Sequence, residues 1–162
     1  VQIIKYPDKA MFVDPGIGNT GWAVFHGDKH PMTGLIHPER NKRRVSTQGE
    51  RMCSMWLQFG ALIRTLNKKI DEVWIESVRH LPTVFGTRVS LSGSLDTLAY
   101  LIGGYWNMCE RYNKKVTLVD PKWLGQLNER KMVLRVERIN GRRYRQHEAD
   151  AVGMGFWKAG VL

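Results

Sequence analysis

Four side chains in this sequence carry chemistry that their surroundings do not explain. Asp14 closes the apolar run Met11–Val13, and Glu76 closes the apolar stretch that begins at Val73. A carboxylate at the end of a buried strand is costly unless it is paired or holds a cation. His147 and Asp150 lie three residues apart in Gln146–Lys158, whose small and apolar residues read as a helix, so the two share a helix face. Glu148 points about 100° away and falls outside the pair. Taken alone, a His/Asp pair on a helix is usually a surface or capping feature. Taken together, oxygen ligands from several carboxylates suit Mg²⁺ or Mn²⁺. If Asp14, Glu76, His147 and Asp150 converge, they form a site for two cations about 3.5–4 Å apart, an arrangement that stabilises both the attacking and the leaving oxygen in phosphodiester hydrolysis.

The stretch around Asp14 leaves a second chemistry open. Pro15, Gly16, Gly18, Asn19 and Gly21 join Met11–Val13 to another short apolar strand, Trp22–Phe25. Such glycines can wrap a phosphate while Asp14 holds its cation, or they can be a tight link beside a metal site. The local sequence does not choose.

The elements that must position these groups are legible from apolar spacing. His30–His37 supplies a third strand. Met52, Met55, Trp56, Phe59, Leu62, Ile63, Leu66 and Ile70 recur at helical spacing, which predicts about five turns with Lys68 and Lys69 in the last. Val73–Ser77 and Val116–Val119 are short buried strands. Between them, Leu91, Leu95, Leu98, Ile102, Tyr105, Cys109 and Tyr112 mark a second long helix. Gly103 and Gly104 inside it cost about 1 kcal/mol each relative to Ala. Close approach of a second subunit, or of the protein's own sheet, would offset that. Pro121 suits the first turn of a short helix through Leu127.

Composition narrows the partner. The chain has 162 residues, about one domain, and 43% hydrophobic residues, as in ordinary globular proteins. No apolar run approaches a membrane span and no signal peptide is expected. Cys53 and Cys109 lack metal-ligand spacing and read as buried free thiols, which suits a reducing cytoplasm. The 25 Lys+Arg against 15 Asp+Glu leave a net charge of +10, which favours a polyanionic partner such as nucleic acid. Arg40, Lys42, Arg43 and Arg44 form one basic loop, either solvated or in contact with phosphate. From Arg130 to Arg145, seven basic residues, among them Lys131, Arg142, Arg143 and Arg145, face one acid, Glu137. A solvated helix normally mixes charge signs, so this run favours a nucleic-acid face.

The order of these features resembles the RuvC family of Holliday junction resolvases, within the RNase H-like superfamily. The resemblance rests on Asp14-Pro15-Gly16 with Thr20-Gly21 six residues after the acid, Ile75-Glu76-Ser77, the long helix, and His147-Glu148-Ala149-Asp150-Ala151. It spans about Ala10 to Trp157. It implies an RNase H-like α/β fold: a five-stranded mixed sheet, the first three strands antiparallel, with helices on both faces in a single nuclease domain. It also implies a homodimer that binds four-way DNA junctions and nicks two strands symmetrically, leaving 5′-phosphate and 3′-hydroxyl ends. Carried over, Asp14 would bridge two Mg²⁺ or Mn²⁺ ions and Glu76, His147 and Asp150 would complete their shells. Such a protein would act in the cytoplasm of a bacterial or phage-infected cell, with any branch-migration partner unknown.

The chain departs from the family pattern in three places. Many members have Asp where this chain has His147, and imidazole favours softer ions, hence Mn²⁺ over Mg²⁺. An aromatic used to unstack a junction base often lies three residues after the Glu. Here that position is Arg79, and Phe85 in the same loop, which runs to Arg88, is the substitute. The lysine that assists chemistry in some members falls at Gly125, with Lys122 nearby and Lys131 at a second basic position. These departures bear on substrate choice, so an RNase H-like nuclease acting on branched or flap DNA generally is the alternative. A junction-binding protein without catalysis is a further one. An ATP-binding protein of the sugar-kinase and actin type shares the opening hairpin, but this chain has no room for its second lobe.

Overall fold

The structure is a computed structural model that describes residues 4–39, 46–78, 94–125 and 127–162. Its strands are β1 (Asp8–Asp14), β2 (Thr20–His26), β3 (Met32–Ile36), β4 (Glu72–Glu76) and β5 (Lys115–Val119). The helices are α1 (Gln48–Thr65), α2 (Ser94–Arg111), α3 (Glu129–Asn140) and α4 (Gln146–Lys158), with a 3₁₀ turn at Pro121–Leu124. Leu91, expected in the second long helix, lies outside the described residues. One sheet runs in the order β3-β2-β1-β4-β5. β1 pairs antiparallel with β2 and β2 with β3, whereas β1–β4 and β4–β5 are parallel. The expected five-stranded mixed sheet is therefore present, and β1 sits at its centre.

Central position explains the composition of β1, whose residues Ala10 to Val13 are all fully buried. Successive side chains alternate between the two faces. Met11, Val13, Val24, Val73 and Ile75 join one core with α1 and α2. Ala10, Phe12, Ala23 and Phe25 join the other with α3 and α4. On this second face Phe12 meets Phe25 edge-on at 5.5 Å, and Phe25 meets Phe156 of α4 at 5.8 Å.

Helix ends follow local chemistry. Thr47 and Glu50 close a reciprocal capping box on α1, a feature worth about 1 kcal/mol. α1 ends at Thr65 with Arg64 in its last turn. Lys68 and Lys69 therefore lie beyond the helix: Leu66 and Ile70 keep the apolar spacing, but in the turn that follows. Asn128 caps α3 through Lys131 N–H at 3.0 Å, and Gly141 ends it in the left-handed region at φ 74°. Pro121 opens the 3₁₀ turn, with Asp120 as its cap.

Two further expectations change. A Cβ on Gly104 would lie 2.0 Å from the Trp56 indole nitrogen, while one on Gly103 meets nothing within 4 Å. The close approach at Gly104 is thus made by an indole of α1, which also donates to the Leu101 carbonyl at 3.2 Å. Cys109 is a buried free thiol, pushed up to about 12 chiefly by burial, but Cys53 is exposed. Among the described residues no helix is long and apolar enough to cross a membrane.

Candidate active site

Strand parity places the first two acids. Asp14 follows Ala10 and Phe12 on the α4-covered face, and Glu76 follows Trp74, which packs on the same side. β1 and β4 run parallel with Val13 opposite Ile75, so Asp14 and Glu76 are the next positions on neighbouring strands. Adjacent strands are about 4.8 Å apart, and two carboxylates at that spacing repel unless protonated or bridged by a cation.

α4 brings the other two groups. A Cβ on Gly21 would lie 2.0 Å from the His147 carbonyl oxygen, and one on Gly155 would lie 2.1 Å from the Phe25 ring. The helix therefore runs along β2 in the strand's own direction. Eight residues of helix and four of strand both span about 12–13 Å, so the two contacts are mutually consistent. This seating puts the first turn of α4 beside the end of β1.

There, His147 Nδ1 lies 2.6 Å from Asp14 Oδ2. Asp14, His147 and Asp150 each offer a ligand atom within 4.8 Å of the others, a spacing that can hold a metal ion. Gln146 Nε2 donates to Asp150 Oδ2 at 2.8 Å. Glu76 is not in this tightest group among the described residues, but its carboxyl feels it. Burial first, then the charges of Asp14 and Asp150, push Glu76 up to about 8. The Trp123 indole N–H faces Glu76 from outside hydrogen-bonding geometry and offsets little of this. Glu148, set aside by helical geometry, turns away: it accepts from Arg145 N–H at 3.2 Å and from the Thr33 hydroxyl at 3.3 Å.

The glycine-rich segment 15–19 is tied down from three sides. Thr20 Oγ1 donates to the Gly16 carbonyl at 3.4 Å and shares a 2.8 Å hydrogen bond with Tyr105 Oη. Arg51 Nη2 donates to the Ile17 carbonyl at 3.4 Å, and Asn19 Oδ1 lies 2.5 Å from His37 Nδ1. Burial raises the Tyr105 phenol. A Cβ at Gly16 would come within 3.2 Å of the His147 ring, so this segment forms one wall of the site.

Residues expected at a DNA surface divide into two groups. Lys122, Lys131, Arg142, Arg143 and Arg145 are exposed, the first on the 3₁₀ turn, the second on α3 and the rest between α3 and α4. Arg40, Arg43, Arg44, Arg79, Phe85 and Arg88 lie outside the described residues. Sequence reasoning missed Gln146 and Trp123. Gln146 had a signal, since it lies four residues before Asp150 on a helix. Trp123 had none, because its place beside Glu76 depends on how the 3₁₀ turn folds back. Gly21 stood out only as a turn residue, and the structure makes it the seat of a helix.

No protein-family model matches the sequence, and no curated protein does. Solved structures do match in fold. A Thermus thermophilus RuvC structure aligns at a TM-score of 0.63 with 17% identity, covering 93% of this chain and 92% of that one. T. thermophilus RuvC in complex with a Holliday junction substrate aligns at 0.65 with 14% identity over 94% and 96%. The yeast mitochondrial Holliday junction resolvase Ydc2 aligns at 0.53 with 16% identity over 99% and 84%. The architecture is the RNase H-like α/β fold of these RuvC structures.

Proposed function

We propose that this protein is a RuvC-like, metal-dependent DNA endonuclease. It acts as a homodimer on four-way junctions and nicks two strands symmetrically. One observation carries the proposal: β1, β4 and α4 deliver Asp14, Glu76, His147 and Asp150 to one end of one sheet face in a protein of charge +10. The aligned structures come from junction resolvases, one of them bound to a Holliday junction substrate, and their fold is this one.

The donor set fits divalent cations. Three carboxylates and an imidazole gather in one place, and burial, followed by the neighbouring charges of Asp14 and Asp150, raises the Glu76 carboxyl, so a cation there would relieve both costs. Asp14, Glu76, His147 and Asp150 would hold the ions, two per site, with oxygen donors for Mg²⁺ and the imidazole favouring Mn²⁺. When bound, such cations stabilise charge on the phosphodiester oxygens and acidify the attacking water. The protein's own part is positional. The imidazole of His147 is pinned to Asp14, and Gln146 orients Asp150. At Gly18 an added Cβ would meet nothing within 4 Å, so that part of the wall is open, giving room for a backbone phosphate. In hydrolysis the water oxygen bonds to phosphorus as the P–O3′ bond breaks, and the proton ends on O3′. The products carry 5′-phosphate and 3′-hydroxyl ends. The exposed Arg142, Arg143 and Arg145 supply sequence-independent attraction to the strands.

Arg79, where the family pattern has an aromatic wedge, favours a second reading of wider branched or flap DNA specificity. Both are tested by incubating the protein with a synthetic four-way junction, a matched duplex and a flap, in Mg²⁺ or in Mn²⁺. Paired symmetric nicks confined to the junction support resolution, and equal cutting of the flap supports the wider specificity. No cleavage of any substrate in either metal refutes the enzyme.

A further inference from the structure

A second pocket adjoins the carboxylates and plays no part in holding them. Trp74 precedes Glu76 by two residues on β4, so both face the same side about 7 Å apart. Trp74, Trp123 of the 3₁₀ turn and Trp157 of α4 line a cavity of about 440 Å³, with Asp120 and Lys122 at its edge. Trp123 belongs to both places: its ring lines the cavity and its N–H faces Glu76. The Trp123 and Trp157 rings lie 6.3 Å apart and tilted by 48°. They form an open V, so a planar group can stack on one of them. Trp157 is 41% exposed, so part of its ring is open to a ligand. Lys158 Nζ sits 4.3 Å over the Trp74 ring, which adds a second cation next to the cavity lining.

We infer that this cavity receives one unpaired nucleobase of the bound strand, stacked against Trp157 and Trp123, while Lys122 and Lys158 pair with the flanking phosphates. The inference rests on the nuclease proposal and extends it to how the strand is gripped beside the cut. The Trp123 and Trp157 rings, with Lys122 on the lining and Lys158 over the Trp74 ring, match the two halves of a nucleotide, a π face and an anion. The one carboxylate on the lining, Asp120, is engaged in capping the 3₁₀ turn through Lys122 N–H at 2.8 Å. Trp123, whose ring lines the cavity and whose N–H faces Glu76, sets the stacked base beside a phosphate held at the carboxylates. An aromatic side chain of a protein partner would use the rings but leave both cations unmatched.

The test uses Asp14→Asn protein and four-way junctions that carry 5-iodouracil at successive positions from the branch point. Irradiation cross-links a stacked iodouracil to the aromatic residue beneath it. The expected result is a cross-link on Trp157 or Trp123 from one or two positions. Trp157→Ala should weaken junction binding by about fivefold or more, with Trp157→Phe restoring most of it. Junctions that bind but cross-link to none of the three tryptophans overturn the pocket's role, as does a Trp157→Ala variant that binds like wild type. Failure to bind any junction in a gel-shift control overturns the nuclease proposal itself, and the two failures are told apart by that control.

Discussion

Gly21→Ala tests whether the site depends on the way α4 is seated. The added methyl would lie 2.0 Å from the His147 oxygen, 2.2 Å from its carbonyl carbon and 2.8 Å from the Glu148 nitrogen. All three are backbone atoms, so no change of rotamer relieves the overlap. Ordinary contact starts at 3.4 Å, so the first turn of α4 must retreat by more than about 1 Å. The His147–Asp14 contact of 2.6 Å would then stretch beyond the roughly 3.2 Å limit of a good hydrogen bond. Overpacking costs about 1–3 kcal/mol, and a rigid backbone neighbour puts this substitution at the upper end. At about 2–4 °C per kcal/mol, Tm should fall by about 6–12 °C. Calorimetric titration with Mn²⁺ should show at least about tenfold weaker binding, because the imidazole and Asp150 move with the turn. Gly18→Ala is the matched control: its Cβ meets nothing within 4 Å, and Tm should hold or rise slightly. A Gly21→Ala protein with wild-type Tm and wild-type Mn²⁺ affinity would refute this account of the helix.

Four further outcomes are expected. Asp14→Asn should abolish cleavage while junction binding, measured by gel shift, survives or tightens, since it removes a metal ligand and a charge facing phosphate; a variant that neither cuts nor binds would count against the assignment. His147→Asp should move the Mn²⁺/Mg²⁺ activity ratio toward Mg²⁺, and an unchanged ratio would remove His147 from the ligand set. Neutralising Arg142, Arg143 and Arg145 should flatten the log–log salt dependence of DNA binding by about 0.9 for each phosphate that no longer meets an arginine, so an unaltered slope would make them plain surface residues. Glu76 titrates at about 8 in the fold against an ordinary 4.5, so the folded state holds the extra proton between those values. Its contribution is whole below about pH 4.5 and is lost as pH rises through about 8, by up to tenfold in the folding constant per pH unit. Urea unfolding in chelator should therefore show Glu76→Gln losing less stability than wild type from about pH 5 to about pH 9, and parallel profiles would contradict the burial and crowding assigned to that carboxyl.

How much of this could be read without coordinates depends on the kind of contact. Periodicity along one element is enough for the strands, and also for which side of each strand an acid occupies. Residues 10, 12 and 14 share a face, as do 74 and 76, whatever lies opposite. The same arithmetic accounts for Cys53, against the expectation of a buried thiol. Two residues from the buried Met55 is about 200° around α1, which puts the sulfur in solvent. Helix α4 and its exclusion of Glu148 follow in the same way.

What periodicity cannot supply is the identity of the neighbour. That β1 pairs with β4 is a property of the sheet order, and neither strand's own residues encode it. The same holds for glycine. Gly18, Gly21 and Gly104 look alike in a sequence, each a missing side chain, yet the structure leaves Gly18 open, sets a helix backbone on Gly21 and an indole on Gly104. Trp123 shows the converse. A tryptophan in a short turn reads as core, and its position between Glu76 and an open aromatic cavity emerges only when the turn folds back beside β4. Asp14 and Glu76 stand out because an acid closing an apolar run violates the hydrophobic pattern, whereas His147 and Asp150 stand out only as a pair on one helix face. Their supports obey that pattern, which is why Gly21, Gln146 and Trp123 needed the fold to become visible. Residues of this supporting kind are therefore where substitutions should alter metal affinity without removing a ligand, and Gly21→Ala is the sharpest instance.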